Sequence, residues 1–419
     1  MTTALPPAPR AFGALRHRNF RLFLTGQFVS LCGTWMQAVA LGWLVLELTN
    51  RAFLVGLVTA LGAAPILAFT LYGGMIADRI NKRRALMLLQ TGMLLDATLL
   101  GTLTLFGLVT PAWVMVLAVF HGTLAAFEIP IRQAFLIEMV GRDDLMNAIA
   151  LNSSAFNLSR VFGPALAGTV LATLGAAACF YLNAGSFLAV LYGLSLIQVA
   201  ATGPAPHTRP RARFRDGLVF IRDDPWLRTL VTMTAVVGVF GMAVVALLPV
   251  YARDVLQTGA GGYGGLSAAF GFGAASGAIL VAAVGDRFNR GPVALGAALA
   301  LGTGLALIAL SRFYPVSLVL LAGTGLAMAL NAIMTNSTLQ LEAPDHLRGQ
   351  VVGMYALIVV GIAPLGALPA GWIADRVGVP AVVGMSGVVV LGAAAVAWVR
   401  RMSGGGAGFR VSGVGGSGT

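Results

Sequence analysis

Long apolar runs alternate with short polar connections twelve times along 419 residues. The runs lie at about 20–48, 53–76, 85–108, 112–131, 147–172, 177–199, 227–250, 262–284, 292–311, 315–335, 350–372 and 379–399. Each reaches the roughly 20 residues that a helix needs to cross a bilayer's hydrocarbon core. The segments of an outer-membrane barrel would be about ten residues long and would alternate in and out, which these do not. Backbone groups in lipid must be satisfied within their own segment, so the spans are helical. Composition agrees: 58% of residues are hydrophobic and only 10% are charged, and mean hydropathy is +0.87. A soluble domain carries about 25% charged residues. The same figures exclude intrinsic disorder. The reading is an all-α integral membrane protein with twelve transmembrane helices.

The net charge of +12 and pI near 10.9 raise the possibility of nucleic-acid binding. The position of the basic residues argues against it, because they sit in short loops between the apolar runs. With the N-terminus inside, 22 of the 27 basic residues fall on the inner side. Only Arg51, Arg253, Arg312 and Arg376 fall outside, and Arg160 lies within a run. Lys and Arg are retained on the cytoplasmic side of a membrane. The expectation is a bacterial-type inner membrane with both termini cytoplasmic. The first run is too long for a signal-peptide core and is read as a retained helix. Cys32 and Cys179 both lie in apolar segments, which argues against a disulfide framework or a Cys-rich metal site.

The longest polar stretch, 200–226, divides six runs from six. It opens with Gly203-Pro-Ala-Pro-His207 and continues into a basic, partly amphipathic segment from Phe214 to Trp226. Its second part is expected on the cytoplasmic membrane surface. The units are therefore an N-terminal six-helix bundle at 1–199, a cytoplasmic linker at 200–226, a C-terminal six-helix bundle at 227–402, and a Gly/Ser-rich tail at 403–419, expected to be disordered. The halves are weakly alike. Gly74-Met-Ile-Ala-Asp78-Arg79 follows the second run of the first half, and Gly285-Asp286-Arg287 follows the second run of the second half. Glu138 precedes the fifth run as Glu342 precedes the eleventh. Repeated halves with a site between them are a transporter architecture.

Ionisable residues inside spans are functional candidates. Asp96 lies near the middle of the third run and Arg160 near the middle of the fifth. Glu128 falls about one turn from the cytoplasmic end of the fourth run, with Arg132 a turn further, and Glu47 lies near the outer end of the first. His121 in the fourth run reads as a hydrogen-bonded filler or a proton relay. Burial disfavours a carboxylate's charged form and a neighbouring Arg favours it. A carboxylate alternately paired with Arg160 could therefore load and release protons. Asp96, Glu128 and Arg160 are the proton-coupling candidates. Asp96 also reads as a structural partner of Arg160, and Glu128 as part of a charge cluster with Lys82 or Arg83.

The segment Gly74-Met-Ile-Ala-Asp78-Arg79-Ile-Asn81-Lys82-Arg83-Arg84 resembles the signature loop of the major facilitator superfamily, Gly-x-x-x-Asp-Arg-x-Gly-Arg-Arg. Asn81 stands where the family has a second Gly, a mild departure because Asn tolerates left-handed geometry nearly as well. Arg160-Val-Phe-Gly163-Pro164-Ala-Leu-Ala-Gly168 resembles the Gly-Pro-x-x-x-Gly motif of the superfamily's exporters. Gly33-Thr-Trp35-Met-Gln37, Pro130-Ile-Arg132-Gln-Ala-Phe and Asn147-Ala-Ile-Ala-Leu-Asn152-Ser are similar to twelve-helix exporters of macrolides and of siderophores such as enterobactin.

The resemblance implies two pseudo-symmetric six-helix bundles and alternating access. It implies a conformational lock of Gly74, Asp78, Arg79, Lys82, Arg83 and Glu128, with Gly74 allowing close helix approach and Asp78 facing a helix N-terminus on the other half. It implies a hinge at Gly163, Pro164 and Gly168. Helices one, four, seven and ten line the cavity in this superfamily, which makes Gln27, Trp35, Gln37, Phe127, Met233, Phe240 and Asn331 cavity candidates, together with Met242 and Met334. The implied function is export of a small amphiphilic or hydrophobic compound, driven by proton antiport. An importer or facilitator without proton coupling is the alternative. The partners are then a small molecule, protons and membrane lipid, with no nucleic acid and no set oligomeric state.

No cofactor or metal is expected. Gly259-Ala-Gly261-Gly-Tyr-Gly264 matches the G-x-G-x-x-G dinucleotide pattern but follows an apolar helix rather than a strand. No phosphate-binding loop of the G-x-x-x-x-G-K-[ST] type, no H-E-x-x-H and no catalytic constellation is present, so the chain does not read as an enzyme.

Overall fold

The computed structural model describes residues 13–77, 79–141, 143–198, 214–344 and 347–403. Asp78, the Pro-rich start of the linker and all but the first residue of the expected tail lie outside the described residues.

The helices are α1 (Arg18–Thr49), α2 (Ala52–Ala77), α3 (Lys82–Leu105), α4 (Pro111–Val140), α5 (Leu145–Leu196), α6 (Phe214–Asp223), α7 (Pro225–Val250), α8 (Gly259–Val284), α9 (Arg290–Leu310), α10 (Tyr314–Glu342), α11 (Arg348–Ala356), α12 (Ala367–Val377) and α13 (Val379–Ser403). Among the described residues, ten are long and apolar enough to cross a membrane. Two details bring the passes to twelve. The 52-residue α5 folds back at Gly175, whose φ of 79° a residue with a Cβ rarely adopts, and so contributes passes five and six. Pass eleven is broken: α11 leads through a π turn (Leu357–Ile362) and a 3₁₀ turn (Ala363–Gly366) into α12. The result is an all-α membrane fold of twelve passes.

Helix starts follow local chemistry. Pro111 and Pro225 occupy first helical positions, where a missing N–H costs nothing. Asp224 accepts from the N–H groups of Trp226 at 2.7 Å and Leu227 at 3.0 Å. Asn81 likewise caps α3, accepting from Arg84 N–H at 3.0 Å with φ −70°. Its backbone is extended, so capping rather than tolerance of left-handed geometry explains an Asn there. α4 runs on to Val140, well past the end of the apolar run at 131, and along it Arg132 Nε donates to Glu128 Oε1 at 2.8 Å.

α6 is amphipathic but does not rest on a membrane surface alone. Ile221 is buried with Leu227, Leu339, Val351 and Met354, while Leu218 and Val219 remain exposed. Elsewhere, exposed side chains such as Leu95, Val116, Leu188 and Val388 form the apolar outer surface expected of a lipid-facing protein.

We use near end for the end at which α1 begins and far end for that at which it finishes. The first six and last six passes are tied together at the far end. Arg253 donates through Nη1 to Asn50 Oδ1 at 2.7 Å. Asp375 of α12 accepts from the first two N–H groups of α2. α5 and α8 touch backbone to backbone where Gly168 meets Gly264, with Gly168 positioned so that a Cβ would lie 3.0 Å from the Gly264 Cα. Small residues permit such approach in membranes.

Candidate functional site

A cavity of about 480 Å³ lies between the passes in the far half of the protein. That is within the range of small-molecule sites. Its walls come from α1, α2, α3, α4 and α5 on one side and from α7 and α8 on the other. Most of the lining is apolar, including Val45, Val58, Leu117, Met242 and Phe270. The polar side chains are fewer: the hydroxyls of Thr34, Thr59 and Ser267, and Gln37, Asp96, His121, Arg160 and Tyr263.

Asp96 comes from the middle of α3 and His121 from α4. The Asp96 side chain is 1% exposed, and its Oδ2 is 3.1 Å from His121 Nδ1. Arg160 of α5 places its guanidinium carbon 5.3 Å from the centroid of the Trp35 ring. That is within cation–π range. Among the described residues no carboxylate pairs with Arg160. Gln37 accepts from Asn183 Nδ2 at 2.6 Å, which turns its polar end toward pass six. At the far side of the cavity Tyr263 stacks on Trp43, centroids 6.1 Å apart, and Trp43 donates Nε1–H to Glu47 at 2.6 Å.

Of the candidate lining residues, the structure brings Trp35, Gln37 and Met242 to this cavity. The others face elsewhere. Met233 and Phe240 pack in the main apolar core, and Met334 packs with Leu230 and Ala294. Phe127 stacks on Phe69 at 6.3 Å. Asn331 donates to the Ala294 carbonyl at 2.9 Å, and Gln27 is buried within α1. α10 contributes nothing to the lining, because Gly273, Gly277 and Gly325 draw it tightly onto α8.

The predicted deep charges are partnered differently from the sequence expectation. Asp96 pairs with His121 and not with Arg160. Glu128 pairs with Arg132, Oε1 to Nε 2.8 Å, both side chains buried. Lys82 reaches Glu138 at 2.6 Å. Arg83 donates to the carbonyls of Leu194 at 2.6 Å and Ser195 at 2.7 Å, capping the C-terminal end of α5. Arg79 is exposed. A Cβ added at Gly74 would meet nothing within 4 Å, whereas one at Gly73 would meet the Ala126 carbonyl at 2.8 Å. The close approach of α2 to α4 is therefore made by Gly73.

α5 keeps helical dihedrals through Gly163 and Pro164, and its one non-helical residue is Gly175. Gly163 presses against α1, a Cβ there lying 2.7 Å from the Cys32 carbonyl. Pro164 has no N–H for the Arg160 carbonyl, and Gly271 of α8 lies directly against that carbonyl. The Asp375 contact with α2 and the partnership of His121 with Asp96 were not anticipated from sequence. The first had a visible signal: Gly371-Trp-Ile-Ala-Asp375-Arg376 matches Gly74-Met-Ile-Ala-Asp78-Arg79 at five of six positions.

Residues 9–407 match the family described as transmembrane secretion effector. The chain is 30% identical over 370 residues to the multidrug efflux pump Tap of Mycolicibacterium fortuitum, covering 86% of this chain and 90% of that protein. It is 27% identical over 367 residues to the enterobactin exporter EntS of Shigella flexneri, covering 84% and 86%. Among solved structures it resembles a bacterial homologue of the human lysosomal transporter Spinster, in an inward-facing and unoccupied conformation, with a TM-score of 0.70 at 15% identity over 92% of this chain and 97% of that one. The twelve-pass fold and the match along nearly its whole length agree, and the chain belongs to the transmembrane secretion effector family of major facilitator transporters.

Proposed function

We propose that this protein exports a small amphiphilic or hydrophobic compound, drug-like or siderophore-like, by alternating access with proton antiport. The observation that carries the reading is the cavity. It lies between the first six and last six passes, is walled by apolar side chains, and holds one cation and one buried Asp–His pair. The efflux pump and siderophore exporter among the relatives support the direction and the kind of cargo.

The units 1–199 and 227–402 are the rocking bodies in this reading, set in a bacterial inner membrane with both termini cytoplasmic. Apolar walls take the body of the cargo, and Arg160 over Trp35 supplies a polar handle. Asp96 is the proton carrier. Among the described residues its one side-chain partner is His121, so a proton gained or lost there changes the net charge of the cavity. Cargo affinity then depends on that proton, and by linkage the cargo alters proton binding equally. Glu128 and Arg132 stabilise α4, and the 74–84 loop with Asp78 locks the near end when the far end opens.

The test uses inside-out vesicles containing the purified protein, an imposed proton gradient and a panel of amphiphilic dyes. Gradient-dependent uptake is expected, abolished by a protonophore and reduced about tenfold or more by Asp96→Asn. Uptake that ignores the gradient in a folded preparation would sink the antiport reading and leave a facilitator.

A further inference from the structure

Asp375 is a carboxylate at the far end that none of these roles uses. It lies in the last turn of α12, with its side chain 18% exposed. Its Oδ1 accepts from the N–H groups of Ala52 at 2.7 Å and Phe53 at 3.3 Å, the first two residues of α2. Those donors have no partner within their own helix. A negative charge beside them is favoured by the helix dipole as well. Arg51 Nε stands 3.4 Å from Oδ2 on the same side. Arg376, the next residue, turns away: its guanidinium lies 3.5 Å from the Trp372 ring centroid and donates to the Trp372 carbonyl. Asp375 is thus left to α2.

This contact crosses from the last six passes to the first six, and the backbones around it are in close register. A Cβ on Gly371 would lie 2.5 Å from the Ala52 carbonyl, and Gly56 faces the Ala367 carbonyl just as closely. The acid ends a Gly-x-Ile-Ala-Asp-Arg segment that the chain carries twice, at 74–79 where α2 reaches the near end and at 371–376 where pass eleven reaches the far end. The two copies stand at opposite ends of two passes that run side by side.

We propose that Asp375 is the far-end lock of the transport cycle: a positioning residue that holds pass eleven onto the start of pass two and releases it when the cavity opens at that end. Its effect is opposite in sign to that of Asp78. The proposal rests on the alternating-access reading above, but on neither the proton nor the cargo.

The experiment reads the accessibility of one thiol. Thr59→Cys, on α2 in the cavity wall, is placed in the full chain with Cys32→Ser and Cys179→Ser. Membrane-impermeant maleimide is then applied from either face in sided vesicles. Asp375→Ala should raise far-face labelling about tenfold, the loss of a helix cap. Asp375→Asn keeps an acceptor for the N–H groups and loses only the charge, so its rise should be about two- to fivefold. Asp78→Asn should move labelling the other way, lowering it from the far face and raising it from the near face. Unchanged far-face labelling in Asp375→Ala, or an equal rise from both faces, overturns the proposal. If Asp375→Ala does not reach the membrane, Asp375→Asn and Arg51→Gln give the same sign at smaller size. Labelling requires no cargo and no gradient, so a failure of proton-driven export and a failure of this lock are seen separately.

Discussion

Among the described residues Asp96 has one side-chain partner, His121 of the neighbouring pass, 3.1 Å away. A carboxylate buried in an apolar wall is tolerated only while such a partner is present. His121→Phe keeps the volume of a ring and removes the partner. It should destabilise the folded protein by about 1–3 kcal/mol, the cost of leaving a buried polar group unsatisfied. Adding Asp96→Asn to that background should recover part of the loss, because the neutral amide tolerates burial better. Thermal unfolding of the two variants in detergent checks this, and a double variant less stable than His121→Phe would refute the pairing. Asp96 and Arg160 stood out in the sequence because charges are rare in apolar runs. Their partners did not, since pairing depends on how α3, α4 and α5 are rotated and staggered against one another.

The α5–α8 contact shows what a helix pair can do that single residues cannot. Gly163, Pro164 and Gly168 were legible as a motif on one helix. The other half of the interface, Gly264 and Gly271 on α8, lies about a hundred residues away, Gly264 as the last residue of the failed dinucleotide motif and Gly271 two turns beyond it. There the glycines serve close approach: Gly264 seats against Gly168, and Gly271 against the carbonyl that Pro164 leaves without a helical donor. Gly264→Leu forces these backbones apart and should cost about 1–3 kcal/mol as overpacking. It should also lower gradient-driven transport, whereas Gly296→Leu, where a Cβ meets nothing within 4 Å, should leave both unchanged. Pass eleven is the other element that departs from a plain helix. Pro364 and Pro369 cannot donate to the preceding turn, and the chain passes through π and 3₁₀ turns there. Such irregular backbone survives at membrane depth only where protein encloses it, and here α7 closes on it, with Gly366 packed against the Val239 carbonyl.

At the scale of the whole molecule, the polar side-chain contacts that join the first six passes to the last six among the described residues lie at the far end, Arg253 with Asn50 and Asp375 with α2, and Gly168 meets Gly264 toward the same end. The alternating access proposed above requires these far-end contacts to part together. A short bis-maleimide bridging Asn50→Cys and Arg253→Cys, in a chain with Cys32→Ser and Cys179→Ser, should stop dye transport nearly completely. The same reagent on either single-Cys variant should not. Undiminished transport in the bridged protein would mean that the far end never needs to open.

Span number and helical character could be read from the sequence alone. A bilayer leaves a chain with twelve apolar runs no other way to satisfy its backbone. Family membership was legible as well, through the 74–84 loop and the Gly163–Gly168 motif, because those signals are local. Helix caps such as Asp224 belong to the same class. What lay beyond the sequence was everything decided by one pass meeting another. Burial of the Glu128–Arg132 pair of α4 depended on the passes packed around it. The cavity drew its lining from α2, α3, α5 and α8 as well as α1, α4 and α7, because rotation about each helix axis selects which third of the side chains faces inward. Asp375 found α2 across more than 300 residues of chain. Hydropathy is a property of each residue and survives in the linear order; pairing and cavity shape are properties of neighbours, and only the folded chain brings those neighbours together.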